Sequence, residues 1–322
     1  MTAATPRPPM KPRDIRRRAY FLMRQCWLTL LIAAVLISLP VLVSLSVEAY
    51  GERLATEAYN AAKAAYLAEY HAGDEFDTSW VAVYRAEEAY DEAFAPWEWL
   101  GYGIDLVSLL VQYIIVVRLC RGLLNGLGTG TCSPRCLLDG RKRTLTSCWM
   151  ALQISLLVLA WILLPLALTI LLISIFGRPG ELIGLLLVLI VSIWARLRYS
   201  LAVVHLADHP ENGCPASDCL YWATNDMNLF TIRSLFRTIW PLFAVGLVDI
   251  LLPLFVPLFP ALDLPVAIFI ILSHMFIFAA EYTCYVCVYD EIRQRIRAAE
   301  EATPPTEGLA RARALANGES IT

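Results

Sequence analysis

"WMALQISLLVLAWILLPLALTILLISIF", residues 149–176, runs for 28 positions without one charged side chain. A bilayer core of about 30 Å needs about 20 helical apolar residues, so a run of this length reads as a membrane span. Pro165 sits inside it, which lipid-embedded helices tolerate. "GRPGE" follows at 177–181 and signals a tight turn. The next apolar stretch is shorter, and Arg196 and Arg198 extend it by snorkelling, giving a span over 182–203. The pair predicts a membrane hairpin.

Composition agrees with that reading. Hydrophobic residues make up 58% of the 322-residue chain and charged residues 17%. The mean hydropathy is +0.58. Soluble domains are about 45–50% apolar and about 25% charged. Four more spans follow from the same argument, at 26–47 (with Pro40 as a kink), 99–119, 239–259 and 266–289. The expected class is all-α, a polytopic helical membrane protein of about six spans. The first run is too long for a secretory signal and lacks a small-x-small cleavage site, so it reads as an uncleaved anchor.

The intervening segments differ in character. Residues 1–25 form a basic arm, 120–148 a basic loop, 204–238 an interfacial loop and 290–322 a charged tail that fades into expected disorder. Residues 48–98 carry twelve acidic side chains and three basic ones. Tyr59, Ala62, Tyr66 and Tyr70 fall at helical spacing, so this segment reads as a helical hairpin with an aromatic face, its second helix ended by Pro96. A protein partner at that face is one reading; a solvated cap packed on itself is the other.

Of the 26 Lys and Arg residues, 22 lie in the arm, the 118–143 and 196–237 segments and the tail. The positive-inside rule then places both termini in the cytoplasm and the acidic hairpin outside. The net charge of −3 offers no general basic surface for nucleic acid. None of the nine cysteines lies in the hairpin, so reduced thiols are expected instead of a disulfide framework.

"RYSLAVVHLADHPENGCPASDC", residues 198–219, gathers two His, two Cys, two Asp and a Glu. Zinc takes His and Cys, but the Cys-x4-Cys spacing is loose and Pro215 interrupts it. The stretch reads instead as the exit from the fourth span. Arg196, Arg198 and Tyr199 are expected at headgroup depth, with Asp208, Pro210 and Glu211 in the turn. No metal or cofactor is expected. Cys132 and Cys136 flank "SPR" without a second ligand pair, and the Cys284-x-x-Cys287 pair falls near a helix C-terminus, where thiol pKa values are not depressed.

Ionisable groups at membrane depth are costly and face the bundle interior. Asp249 lies mid-way along the fifth span and His274 at similar depth in the sixth. Glu281 follows His274 by seven residues on the same helix face. The three define a candidate polar seam. It is either a proton or solute path or an interhelix clamp. No Ser-His-Asp array, HExxH or paired catalytic carboxylates occur, and an enzymatic role is not expected.

"RYSLAVVHLADHPE" (Arg198 to Glu211), the basic "RDIRRRAYFLMRQCW" before the first span and "VYDEI" (Val288 to Ile292) resemble the bacterial integral membrane proteins grouped as domain of unknown function nine-seven-five. The family's Pro-Gly before Arg-Tyr-Ser is replaced here by "LIVSIW", and the acidic hairpin resembles an insertion. The resemblance implies a six-span inner-membrane protein and supplies no activity. The reading is thus a non-enzymatic membrane protein that organises partners or lipids, with a small-solute or proton-coupled transporter using Asp249, His274 and Glu281 as the alternative. The bilayer itself is the one partner the composition demands.

Overall fold

The computed structural model describes residues 11–69, 78–138, 144–209, 215–227, 229–251 and 263–302. Among these there are helices and no strand. They are α1 (Pro12–Gln25), α2 (Trp27–Glu69), α3 (Thr78–Thr129), a 3-10 turn (Pro134–Leu137), α4 (Thr144–Phe176), α5 (Arg178–Asp208), α6 (Ala216–Asp226), α7 (Leu229–Leu251) and α8 (Asp263–Ala302). Five of them, α2, α3, α4, α5 and α8, are long and apolar enough to cross a membrane. The expected fifth span begins within α7, and its residues 252–259 lie outside the described ones.

Several helices run through boundaries that the sequence suggested. Pro96 does not end a helix: α3 passes through it, as α2 passes through Pro40 and α4 through Pro165. The acidic segment is therefore not a separate hairpin but the outward continuation of α2 and α3. At 1.5 Å per residue these helices are about 64 and 78 Å long, twice the bilayer core or more. Exposed aromatic residues fall about one bilayer thickness apart along α2. Trp27 and Tyr50 are both exposed, and their 23-residue separation along α2 is about 34 Å. Trp99 and Tyr102 lie at the Tyr50 end, beside the edge-on Tyr50–Trp97 pair, whose centroids are 5.1 Å apart. Aromatic belts of this kind sit at membrane–water interfaces. Beyond Tyr50, about 28 Å of α2 projects as a rod paired with α3.

Other boundaries shift too. The 120–148 loop is helical to Thr129, and Arg118 ties the 3-10 turn and α4 to α3 through the Leu137 carbonyl (2.9 Å) and the Thr144 hydroxyl (3.3 Å). Residues 204–238 hold the end of α5, all of α6 and the start of α7. The tail is helical to Ala302. The basic arm contains α1, whose Ile15, Ala19 and Leu22 are buried while Arg13, Arg16, Arg17 and Arg24 face out.

Lipid supplies no hydrophobic drive between spans, so each helix pair needs close backbone approach or polar contacts. The α4–α5 hairpin uses small residues. Gly177 makes the turn at φ +63, a conformation that strains any side chain bearing a Cβ. Gly180 and Gly184 then lie against α4: a Cβ on Gly184 would stand 2.3 Å from the Thr169 side chain. Thr169 itself donates back to the Pro165 carbonyl at 2.7 Å. The α2–α3 pair uses Ala55, Ala82 and Ala86, all buried, and Gly51, which faces Trp97. The packed core lies at the α1 end, where α1, α3, α5, α6, α7 and α8 meet. Toward the other end α4 and α5 present Leu164, Ile170, Leu182 and Ile183 outward, as lipid-facing helices do.

Candidate functional site: a polar ladder between α5 and α8

The last turns of α5, Leu201 to Ala207, are entirely buried. The stretch read from the sequence as an interfacial exit is instead the centre of the packed core. Tyr199 is buried, and its hydroxyl accepts the Trp161 indole N–H at 3.0 Å. Arg198 stacks on Trp194, 5.1 Å from the ring centroid. Pro210 and Glu211 lie outside the described residues.

On α8, Glu281, Tyr285, Tyr289 and Arg293 are four residues apart and form one stripe along the helix. It meets α5 at two levels. At the first, Arg196 Nη2 lies 3.2 Å from Glu281 Oε2, and the Tyr285 hydroxyl donates to the other Glu281 oxygen. At the second, Asp208 Oδ2 accepts from the Tyr289 hydroxyl at 2.8 Å and from the Arg293 guanidinium. The separations match: twelve residues from Arg196 to Asp208 and twelve from Glu281 to Arg293. The two helices therefore run parallel here, with the cation on α5 at one level and on α8 at the other. The levels are about 18 Å apart. A one-turn slip would part Arg196 from Glu281 and Asp208 from Arg293, so the ladder favours this register.

Two further pairs close the lower level. Arg18 of α1 lies 2.6 Å from Asp290 Oδ2, which also accepts from Gln294 at 2.8 Å. His205, one turn before Asp208, is 7% exposed and shares a 2.8 Å hydrogen bond between its Nε2 and Asp226 Oδ2. Asp208 and Asp226 are the last residues of α5 and α6, where the helix macrodipole disfavours a carboxylate; Arg293 and His205 offset it. Tyr289 meets the His205 ring edge-on at 4.8 Å. His209 stacks on Trp222 at 4.7 Å, and its Nδ1 donates to the His205 carbonyl at 2.8 Å. With Asp226 accepting from Nε2, the His205 Nδ1 is a buried nitrogen with no hydrogen-bond partner among the described residues.

The expected seam of Asp249, His274 and Glu281 is not assembled among the described side chains. His274 is exposed on α8 and donates through Nδ1 to its own Ile270 carbonyl at 2.8 Å. Glu281 turns to α5. Asp249 is within α7, but its side chain lies outside the described ones. Asp226, Tyr289, Arg293 and Arg18 belong to the cluster and were not singled out from the sequence. Tyr289 and Arg293 were signalled by the i, i+4 repeat on the last helix, and Asp226 and Arg18 by no such pattern. Among the described residues no group of three or more His, Cys, Asp or Glu is arranged to hold a metal ion.

The five apolar spans and the polar ladder define a multi-pass helical membrane protein. Comparison with family models, with curated proteins and with solved structures finds no match to this chain.

Proposed function

We propose that this protein is a non-enzymatic organiser of the bacterial inner membrane. Its registered bundle carries an acidic two-helix rod to a protein partner outside the cytoplasm. Both termini lie in the cytoplasm on this reading, which rests on the Lys and Arg distribution. The resemblance to domain of unknown function nine-seven-five is in keeping with it.

The observation that carries the reading is the unbroken passage of α2 and α3 out of the apolar zone. Rigid continuation transmits position from bundle to rod, which a flexible hairpin would not. The rod also presents a groove of about 280 Å³ lined by Thr56, Tyr59, Glu87, Tyr90 and Asp91. Aromatic rings beside carboxylates suit a Lys or Arg side chain of a partner, through ion pairing and cation–π contact. Tyr84, 71% exposed on the same helix, offers a further anchor. The transporter reading has less support, because Glu281 is engaged in the ladder and His274 faces outward.

The test is site-specific photocrosslinking from Tyr84 and Tyr59 in intact cells. A discrete adduct that Glu87→Lys with Asp91→Lys removes is expected. Crosslinking to lipid alone, or adducts indifferent to the charge reversal, would count against a protein partner. Impermeant-reagent labelling of a single cysteine at Glu57 from outside, and at Glu291 only after opening the cells, checks the orientation.

A further inference from the structure

Three sulfurs converge at the α1 end of the molecule, on residues outside the ladder. Cys26 occupies the break between α1 and α2, and Cys132 and Cys136 bracket the start of the 3-10 turn. Cys132 and Cys136 are half-buried thiols with their sulfurs 3.8 Å apart. The Cys26 thiol is buried and hydrogen-bonds to Cys132. The backbone holds the arrangement from two sides. Thr29 of α2 donates to the Cys132 carbonyl at 2.9 Å, and the Cys136 N–H donates to the Ser133 carbonyl at 3.0 Å.

Helix α3 is shaped to receive these sulfurs. A Cβ on Gly122 would stand 2.5 Å from Cys136 Sγ and 2.7 Å from Cys132 Sγ. One turn on, a Cβ on Gly126 would stand 3.1 Å from Cys26 Sγ. Only glycine leaves room at the first position. The two glycines thus leave a sulfur-sized recess on α3. The three sulfurs are not arranged as a metal-ligand set. Redox chemistry between neighbouring thiols is what the spacing suits.

We propose that Cys132 and Cys136 are a peroxide-reactive dithiol, in which Cys132 takes the oxidising equivalent and Cys136 resolves it as an intramolecular disulfide. The Cys132 thiolate attacks one oxygen of hydrogen peroxide. A sulfur–oxygen bond forms, the oxygen–oxygen bond breaks, and the departing hydroxide takes a proton to leave as water. Sulfur is oxidised to sulfenic acid and peroxide is reduced. Cys136 sulfur then attacks Cys132 sulfur, the sulfur–oxygen bond breaks, and the hydroxide leaves with the Cys136 proton as a second water. The sulfurs close from 3.8 Å to the bond length of about 2.05 Å, a movement within reach of side-chain rotation.

The roles follow from exposure and hydrogen bonding. Cys132, just before the turn, and Cys136, within it, are both partly exposed, while Cys26 is buried. Hydrogen bonds from Cys136 and then Cys26 hold the Cys132 thiol well below its ordinary range, against the opposing effect of burial, and Thr29 of α2 acts in the same direction. Low-pKa, reachable thiols beside a resolving cysteine are the ones that oxidise selectively.

The experiment uses the full chain, reduced and then exposed to hydrogen peroxide in detergent. Tryptic cleavage after Arg135 separates the two cysteines, so a disulfide-linked pair of peptides, 122–135 with 136–141, reports the bond directly. The linked pair is expected in the native chain. Cys136→Ser should lose it and accumulate a Cys132 sulfenic acid that a 1,3-dione captures. Cys132→Ser should lose both. A link from Cys132 to Cys26 or Cys148, or no link at all, overturns the proposal. The native chain also gives a readout that needs no variant. Alkylation of Cys132 should be nearly flat between about pH 6 and 8, where an ordinary thiol rises about tenfold per unit. A tenfold rise per unit at Cys132 would refute its role as the attacking thiolate.

Discussion

Removing the Asp208 carboxylate tests the ladder most directly. Asp208→Ala deletes the acceptor of the Tyr289 hydroxyl and the partner of Arg293. The two losses are unequal. The Arg293 side chain is 40% exposed and regains water, so its share is about 0.5–1 kcal/mol. Tyr289 is 2% exposed, and its hydroxyl would be left buried without an acceptor, which costs about 1–3 kcal/mol. The expected total is about 1.5–4 kcal/mol. Asp208→Asn keeps a carbonyl oxygen for Tyr289 and loses the charge alone, so about 1 kcal/mol is expected. Tyr289→Phe leaves Asp208 its guanidinium and should also cost about 1 kcal/mol. The informative combination is the double variant. Once Asp208 is gone, removing the orphaned hydroxyl should cost nothing further and recover about 1 kcal/mol, a strong departure from additivity. The assay is reversible unfolding of the purified protein in mixed micelles, following helicity and tyrosine fluorescence. If Tyr289→Phe added a further 1 kcal/mol or more to Asp208→Ala, or if Asp208→Asn were as damaging as Asp208→Ala, the hydrogen-bond account would be wrong.

The upper level should behave asymmetrically in the same assay. Arg196 is 67% exposed, so Arg196→Ala should cost under about 1 kcal/mol, whereas Glu281→Ala strands the buried Tyr285 hydroxyl and should cost about 2 kcal/mol or more. In the α4–α5 hairpin, Gly184→Ala should cost about 1–3 kcal/mol by overpacking against Thr169; Gly103→Ala, with open space around it, should be neutral or stabilise by up to about 1 kcal/mol. Matched melting curves that do not separate these two would disprove the close-approach argument. Gly177→Ala, at φ +63 and ψ −136, should cost about 1 kcal/mol or more, and Gly177→Asn about as much, because that backbone lies outside the left-handed helical well that Asn tolerates.

The spans were legible because lipid leaves a chain few options: about 20 apolar residues in a helix, or none. The turn at Gly177 was legible for a similar local reason. What failed were arguments about where helices end. Pro96 reads as a stop in water, yet α3 continues through it. The Arg and Tyr residues of 196–199 read as headgroup anchors, yet Tyr199 points inward to Trp161. The ladder was illegible for a deeper reason. Its partners are 81 and 85 residues apart, and only the parallel packing of α5 on α8 makes their twelve-residue spacings correspond. Glu281 was flagged as an intramembrane carboxylate, but periodicity alone paired it with His274 on its own helix instead of Arg196 on another. The sulfur recess shows the same limit: the Gly122–Gly126 spacing and the Cys132–Cys136 spacing were both visible, but nothing local says that they face each other.

Helix pairs in lipid are not held by apolar burial, and the pairs described use two kinds of fastener. Small residues join α4 to α5, and glycine, alanine and one Trp join α2 to α3. Charges and hydroxyls join α5 to α8. These fasteners differ in what disturbs them. Salt weakens ion pairs that water reaches but leaves close apolar contacts intact. The ladder is shielded on its lower side by α1, through Arg18 and Asp290, and flanked by α6, through Asp226 and His205. Those short helices are therefore better understood as seals over buried charge than as linkers between spans. A bundle tied firmly at one end and loosely packed along its lipid-facing length can hold α2 and α3 at a fixed angle. Cutting the seal with Arg18→Ala should then raise the salt sensitivity of unfolding without altering the packing of α4 on α5.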